Sequence, residues 1–128
     1  MNKLLIDVTS EKIFLMIIAN KDIYNITKEN TKINYEKLTL ILKDFLNSNN
    51  LKLEDIQKIY VNRGPGSFAG IRNSLSIVKA INIARNVDYY CYSIEDFKDQ
   101  KDIKYEDIPN LCDKFKIKKN LIKPIYLS

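Results

Sequence analysis

The sequence predicts an α/β fold, a mixed five-stranded sheet in the order βββαβαβ with helices laid across it. Three observations predict it. Three short apolar segments near the N-terminus are separated only by tight polar breaks, as in an antiparallel meander. Two later stretches carry apolar residues at spacings of three and four, the period of a helix packed on one side. Each of those stretches leads into another short apolar strand, so the last strands are joined by crossovers and pair in parallel.

The elements follow in order. Lys3–Val8 is a buried strand ending at Asp7, and Ser10-Glu11-Lys12 breaks it. Ile13–Ala19 is the second strand. Asn20-Lys21-Asp22 is a tight turn, and Ile23–Thr27 alternates as a third, more exposed strand. Lys28–Asn34 reads as a loop. Tyr35–Asn47 is a helix whose inward residues are Tyr35, Leu38, Ile41, Leu42, Phe45 and Leu46, stopped by Asn47-Ser48-Asn49-Asn50. Leu51–Gln57 is a connector with one turn, and Lys58–Asn62 the fourth strand. Arg63–Gly70 is a glycine loop, Ile71–Arg85 the second helix, and Asp88–Tyr92 the fifth strand. Ser93 caps a short helix that begins over Ser93–Lys98. From Asp99 the pattern weakens. Lys101–Lys119 is charged and nonperiodic, with Pro109 inside it, and Lys123–Leu127 reads as a short edge strand with proline near its start. Residues 1–98 are thus one domain, and 99–128 a C-terminal segment rather than a second one.

Composition narrows the function classes. With 128 residues, 45% of them apolar and 29% charged, the chain is an ordinary globular domain. The longest apolar run, Ile13–Ala19, is far short of a membrane span. Met1-Asn2-Lys3 and the three apolar residues before Asp7 make no secretory leader, which places the chain in the cytoplasm with no membrane partner. Cys91 and Cys112 have neither metal nor disulfide spacing. The sequence has no histidine, which removes the usual general base, most zinc and iron sites, and every Ser-His or Cys-His pair. The formal net charge is +5, but lysine, asparagine and isoleucine are all abundant, so a compositional bias explains the charge better than a selected basic surface.

The three glycines, Gly64, Gly66 and Gly70, fall within seven residues, and two of the three arginines, Arg63 and Arg72, flank them. Gly64-Pro65-Gly66 must turn sharply after the strand, proline fixing one φ and glycine allowing positive φ on either side. Ser67 is placed to cap the next helix, and Gly70 lets its first turn approach a neighbour. The spacing is neither a Walker motif nor G-x-G-x-x-G, being one residue too long. A strand-to-helix turn, a bound anion at the helix N-terminus and a protein contact all remain open for this loop.

The block Arg63-Gly64-Pro65-Gly66-Ser67-Phe68-Ala69-Gly70-Ile71-Arg72 resembles the signature of the bacterial TsaB (YeaZ) family, departing from it at Ala69, where the family has threonine. Ile6-Asp7-Val8-Thr9-Ser10 is similar to the family's opening I-D-T-S with one valine inserted, and Pro124-Ile125-Tyr126 to its terminal P-x-Y. The resemblance covers residues 3–97, and 121–127 loosely. Asn34-Tyr35 stands where the family has His-Ser, and the chain is about half the family's length.

The resemblance implies the first subdomain of the actin/Hsp70-like ATPase (ribonuclease H-like) fold, with a second subdomain largely missing. It implies a noncatalytic scaffold that binds TsaD, together with TsaE, in the complex that threonylcarbamoylates the adenosine beside the tRNA anticodon. ATP and a metal then belong to TsaD, and no catalytic residue, metal or cofactor belongs to this chain. The partner or homodimer surface is expected on Tyr35, Leu38, Ile41, Leu42, Phe45, Leu75, Val78 and Ile81. Apolar stripes on both helices, wider than one sheet face needs, suit that expectation. The competing reading is a small actin-like nucleotide-binding or hydrolytic enzyme using Asp7, Thr9, Ser67 and the glycine loop. The residues themselves favour Asp7 as a carboxylate capping a local turn with Thr9 and Ser10. The lysine run Lys114, Lys116, Lys118, Lys119 and Lys123 reads as a tRNA contact or as a solvated face.

Overall fold

The apolar segments fold as the expected sheet. In a computed structural model, which describes residues 1–126 apart from the side chain of Tyr35, β1 spans Asn2–Asp7, β2 Lys12–Ala19, β3 Asp22–Glu29, β4 Lys58–Asn62 and β5 Asp88–Tyr92. The spatial order is β3-β2-β1-β4-β5. β1 pairs antiparallel with β2 and β2 with β3, whereas β1–β4 and β4–β5 are parallel. Asn20, at φ 56°, turns β2 into β3 in the left-handed region that asparagine tolerates.

Period-two alternation divides the sheet into two buried faces. Leu4, Ile6, Val8, Ile13, Leu15, Ile17, Ile59, Val61, Tyr89 and Cys91 face one core. Leu5, Met16, Tyr60 and Tyr92 face the other. Burial on both faces is why the inner strands read as continuous apolar runs. β3, at the sheet edge, is exposed along nearly all its length.

The first face is covered by helices. The segment expected as one helix over Tyr35–Asn47 is two, α1 (Lys32–Glu36) and α2 (Leu38–Ser48), broken at Lys37 with φ −102° and ψ 13°. Lys28–Asn34, expected as a loop, is instead the end of β3 and the first turn of α1. Thr31 Oγ1 accepts the Asn34 N–H at 3.2 Å, the bond of an N-cap. α3 spans Phe68–Arg85, three residues longer at its start than expected, because the Ser67 cap comes that early. It ends at Asn86, φ 56°.

The second face is covered by the stretch that lacked a pattern. One 3-10 turn over Tyr105–Asp107 leads into α4 (Ile108–Lys114). Pro109 opens that helix instead of breaking a pattern, since an N–H is not needed there. Ile108, Leu111 and Cys112 are buried against Leu5, Met16, Tyr60 and Tyr92. Residues 119–126 then run back along the β5 edge. Lys119 bridges Tyr90, Asn120 turns the chain at φ 61°, and Tyr126 pairs in parallel with Gly66. Of the expected terminal strand only that bridge forms among the described residues, and Leu127 lies outside them.

Two substitutions test the layers. Ile108→Ala, on the second face, is expected to lower the unfolding free energy by about 2–5 kcal/mol. Gly70→Ala, whose new Cβ would lie 2.1 Å from the Val8 carbonyl oxygen, should lower it by about 3 kcal/mol or more. Urea unfolding followed by circular dichroism measures both, and wild-type midpoints would contradict this packing.

Candidate functional site

Three sequence-predicted residues meet at the carboxyl ends of β1 and β4, where open α/β sheets place ligands. Asp7 ends β1 and is buried. A buried carboxylate needs donors, and this one has four. Its Oδ1 accepts the Thr9 backbone N–H at 3.0 Å and the Thr9 hydroxyl at 2.6 Å. Its Oδ2 accepts Asn62 Nδ2 at 3.0 Å and the Tyr105 hydroxyl at 2.9 Å. Asn62 in turn accepts the Gly64 N–H at 2.9 Å. Asp7 therefore does close a local turn with Thr9, but Ser10 belongs elsewhere, accepting the Lys12 N–H at 3.4 Å.

Tyr105 arrives from the C-terminal segment and seals this corner. Its ring stacks on Phe14 with centroids 4.0 Å apart. Burial first, then the Asp7 carboxylate it binds, pushes its hydroxyl above the usual tyrosine range. Tyr92 lies beside the pair, fully buried, with a hydroxyl that has no hydrogen-bond partner among the described residues and is likewise held neutral by burial.

The glycine loop is pressed onto β1 and the tail. The Gly64–Pro65 peptide is cis, and Gly64 has φ +113° with its Cβ position 2.1 Å from the Ile125 carbonyl oxygen. Gly66 departs from the expectation of positive φ. It is glycine because a Cβ there would lie 2.3 Å from the Thr9 carbonyl oxygen. The Ser67 N–H donates to that same oxygen at 3.0 Å, and Ser67 Oγ accepts the Gly70 N–H at 3.3 Å.

The two flanking arginines differ. Arg63 uses its planar fork: it donates to both Asp96 carboxylate oxygens, at 2.7 and 3.4 Å, and to the Lys123 carbonyl at 3.2 Å. Arg72 is exposed on the outer side of α3. Pro65 and Phe68 are exposed as well, and Phe68 tilts against Tyr126 at 4.7 Å.

The expected partner surface needs correction. Leu38, Leu42, Phe45, Leu75, Val78 and Ile81 are buried in the chain's own core, and Ile41 is half-buried against it. The stripes are wide because α2 and α3 pack on the sheet and also touch each other. Tyr35's side chain lies outside the described residues. The apolar side chains left outside on these helices are Leu40, Phe68 and Ile83, the last 73% exposed. Ile83 with Arg72, Ser76 and Ala80 lines a groove of about 460 Å³ between α3 and Ile122, Pro124 and Tyr126 of the tail.

Sequence reasoning missed Asn62, Asp96 and Tyr105. Asp96 had a signal, since Ser93-x-x-Asp96 is a capping box and both of its bonds form. Cys91 and Cys112 are buried thiols, pushed up by burial to about 11 and about 12. Among the described residues no three acidic or cysteine side chains are grouped to hold a metal ion, and no helix is long and apolar enough to cross a membrane.

Comparison with known proteins agrees with this architecture. The family model described as "TsaD: tRNA N6-adenosine threonylcarbamoyltransferase" matches residues 28–93. A curated relative from Buchnera aphidicola subsp. Baizongia pistaciae (strain Bp), tRNA threonylcarbamoyladenosine biosynthesis protein TsaB, is 32% identical over 66 residues, covering 52% of this chain and 30% of the relative. YeaZ from Pseudomonas aeruginosa superposes with a TM-score of 0.67 at 20% identity, over 72% of this chain and 43% of its own. Thermus thermophilus RuvC superposes with a TM-score of 0.54 at 12% identity, over 90% of this chain and 80% of its own. At these identities the two structures establish the fold alone. The chain spans less than half the length of the TsaB and YeaZ chains it matches.

The corner makes a testable alkaline signature. Tyr92, Tyr105, Cys91 and Cys112 all bind their protons more tightly folded than unfolded. Their stability contribution is complete below the unfolded thiol value of about 8.5 and drains as pH rises toward the folded values. Urea midpoints should hold from about pH 7 to 8 and fall steadily above about pH 9. Tyr105→Phe should cost about 1.5–3 kcal/mol at neutral pH, the worth of a hydrogen bond to a charged group.

Proposed function

Since the chain belongs to the family of TsaD and its relative TsaB, we propose that it serves tRNA threonylcarbamoyladenosine biosynthesis as a noncatalytic subunit that docks on TsaD. The observation that carries the noncatalytic part is the saturation of Asp7. All four of its hydrogen bonds come from its own chain, and Tyr105 stands over the carboxylate. A nucleotide, which the actin-like fold would otherwise suggest, does not fit these residues. The loop that would approach its phosphates is instead pressed onto Val8, Thr9 and Ile125, at distances that leave no room even for a Cβ. No catalytic step is therefore assigned to Asp7, Thr9 or Ser67.

The docking surface is the groove on the outer side of α3. Small side chains at Ala69, Ser76 and Ala80 let a partner backbone come close, while Phe68, Ile83, Ile122 and Tyr126 supply exposed apolar area. Ile83 is the anchor, being the most exposed large apolar side chain.

Co-expression with TsaD tests the reading. The two chains should co-purify, and tRNA modification should require both. Ile83→Asp should reduce co-purification by about tenfold or more while leaving the melting temperature unchanged, because the residue contributes little to the core. Titration calorimetry of the isolated chain with ATP and magnesium should show no heat of binding. Tight nucleotide binding would favour the enzyme reading, and a stable homodimer indifferent to TsaD would remove the scaffold reading.

A further inference from the structure

A second cavity lies away from Asp7 and from the α3 groove. It is about 290 Å³ in volume and opens at the β5 edge, under the reversal of the chain between Lys116 and Lys123. Arg63, Lys116, Lys118 and Lys123 line it together with Asp96. Its charges are not balanced. The Asp96 carboxylate is already taken by Arg63 and by the Ser93 N–H. None of the ion pairs among the described residues includes Lys116, Lys118 or Lys123. The neighbouring Lys119 is committed to Asp88 at 3.5 Å, and Lys114 lies over the Phe115 ring. Three lysines that join no ion pair among the described residues thus line one concavity, whose single carboxylate is already engaged.

The frame carrying them is fixed. The Ile117 N–H donates to the Cys112 carbonyl at 3.0 Å, and the Asn120 N–H to the Tyr89 carbonyl at 2.7 Å. The Asn120 side chain accepts the Tyr89 N–H at 3.0 Å and donates to Asp88 at 2.9 Å. Arg63 holds the Lys123 carbonyl. Anchoring the backbone reduces the ordering cost of gathering like charges around a ligand.

We propose that this cavity binds the phosphodiester backbone of a structured RNA. The inference rests on the tRNA-modification reading above and extends it to a site on this chain. Lysine ammonium groups grip phosphate as point charges and read no base. Of the remaining lining, Cys91, Ile117 and Leu121 are not base-reading groups, and Arg63 and Asp96 are engaged with each other. The expected binding is therefore sequence-independent and salt-sensitive.

The test is fluorescence anisotropy of the full chain with an unmodified tRNA transcript across a salt series. The variants are Lys116→Ala/Lys118→Ala/Lys123→Ala and, as a control on the exposed edge around β3, Lys21→Ala/Lys28→Ala. The wild-type and control proteins should bind at about 50 mM salt. The triple variant should bind about tenfold or more weakly, with a log–log salt slope shallower by about 2, since each lost phosphate contact removes about 0.7–0.9. Circular dichroism should show the triple variant folded. Four results would overturn the proposal: no wild-type binding at low salt; equal losses in the variant and the control; displacement of tRNA by inorganic phosphate at equal phosphate concentration, marking a free-anion site; or displacement by polyglutamate as readily as by RNA, marking an acidic-protein site. Co-purification of the triple variant with TsaD, measured alongside, separates failure of this site from failure of the scaffold reading.

Discussion

The fold hangs on one buried carboxylate. Asp7 sits buried at the end of the central strand, and its negative charge must be met largely by protein donors. Each donor comes from a different part of the molecule: Thr9 from the link to β2, Asn62 from β4, and Tyr105 from the segment that covers the second face. Satisfying the charge therefore fixes how far each of those segments can move. Removing one donor leaves a charge short of partners, which costs more than the bond itself contributes. Tyr105 has a double hold, since its ring is stacked on Phe14 while its hydroxyl serves Asp7.

The glycine block follows from the same geometry. With β1 and β4 drawn together at Asp7, the chain leaving β4 must pass within van der Waals contact of the β1–β2 link before α3 can begin. Gly66 and Gly70 allow that passage because nothing larger than hydrogen fits against the Thr9 and Val8 carbonyls. Gly64 does the same against the tail at Ile125, with a backbone conformation other residues avoid. Arg63 then ties the loop to Asp96 and to Lys123. A loop shape associated with phosphate cradles is here a joint between two strands, a helix and the tail.

The first layer was legible because its elements are long enough to show a period. β1 and β2 are continuous apolar runs between polar breaks, α3 carries its helical spacing in plain sight, and Ser67 and the glycines announce the α3 start. The second layer was not legible, because its apolar residues are divided among pieces too short to show any period. Ile103, Tyr105, Ile108, Leu111 and Phe115 all pack there, yet they span a loop, a single turn and a seven-residue helix. Pro109, seen in the sequence only as lying inside that stretch, sits in the first turn of α4 and marks its start. The site divided in the same way. Local bonds such as Thr9 to Asp7 could be read from two adjacent residues, whereas Tyr105 to Asp7 spans 98 positions and leaves no local trace. The helix stripes misled for a physical reason: their width recorded packing on a sheet and on each other, and the exposed Ile83, outside both stripes, was the better marker of an open surface.

The strand ends are closed with the chain's own groups, and the tail shapes two concavities on its surface. Residues 121–126 divide their side chains between the two concavities. Ile122, Pro124 and Tyr126 turn toward α3 and complete the apolar groove. Leu121 and Lys123 turn the other way and complete the basic cavity. One stretch of six residues therefore serves as the shared wall of both concavities. Its position is set by the Ile125 N–H bond to the Arg63 carbonyl and by the pairing of Tyr126 with Gly66. Any body seated in the groove bears on the same backbone that carries Lys123. The apolar groove and the basic cavity are thus joined through a common element, which the glycine loop anchors.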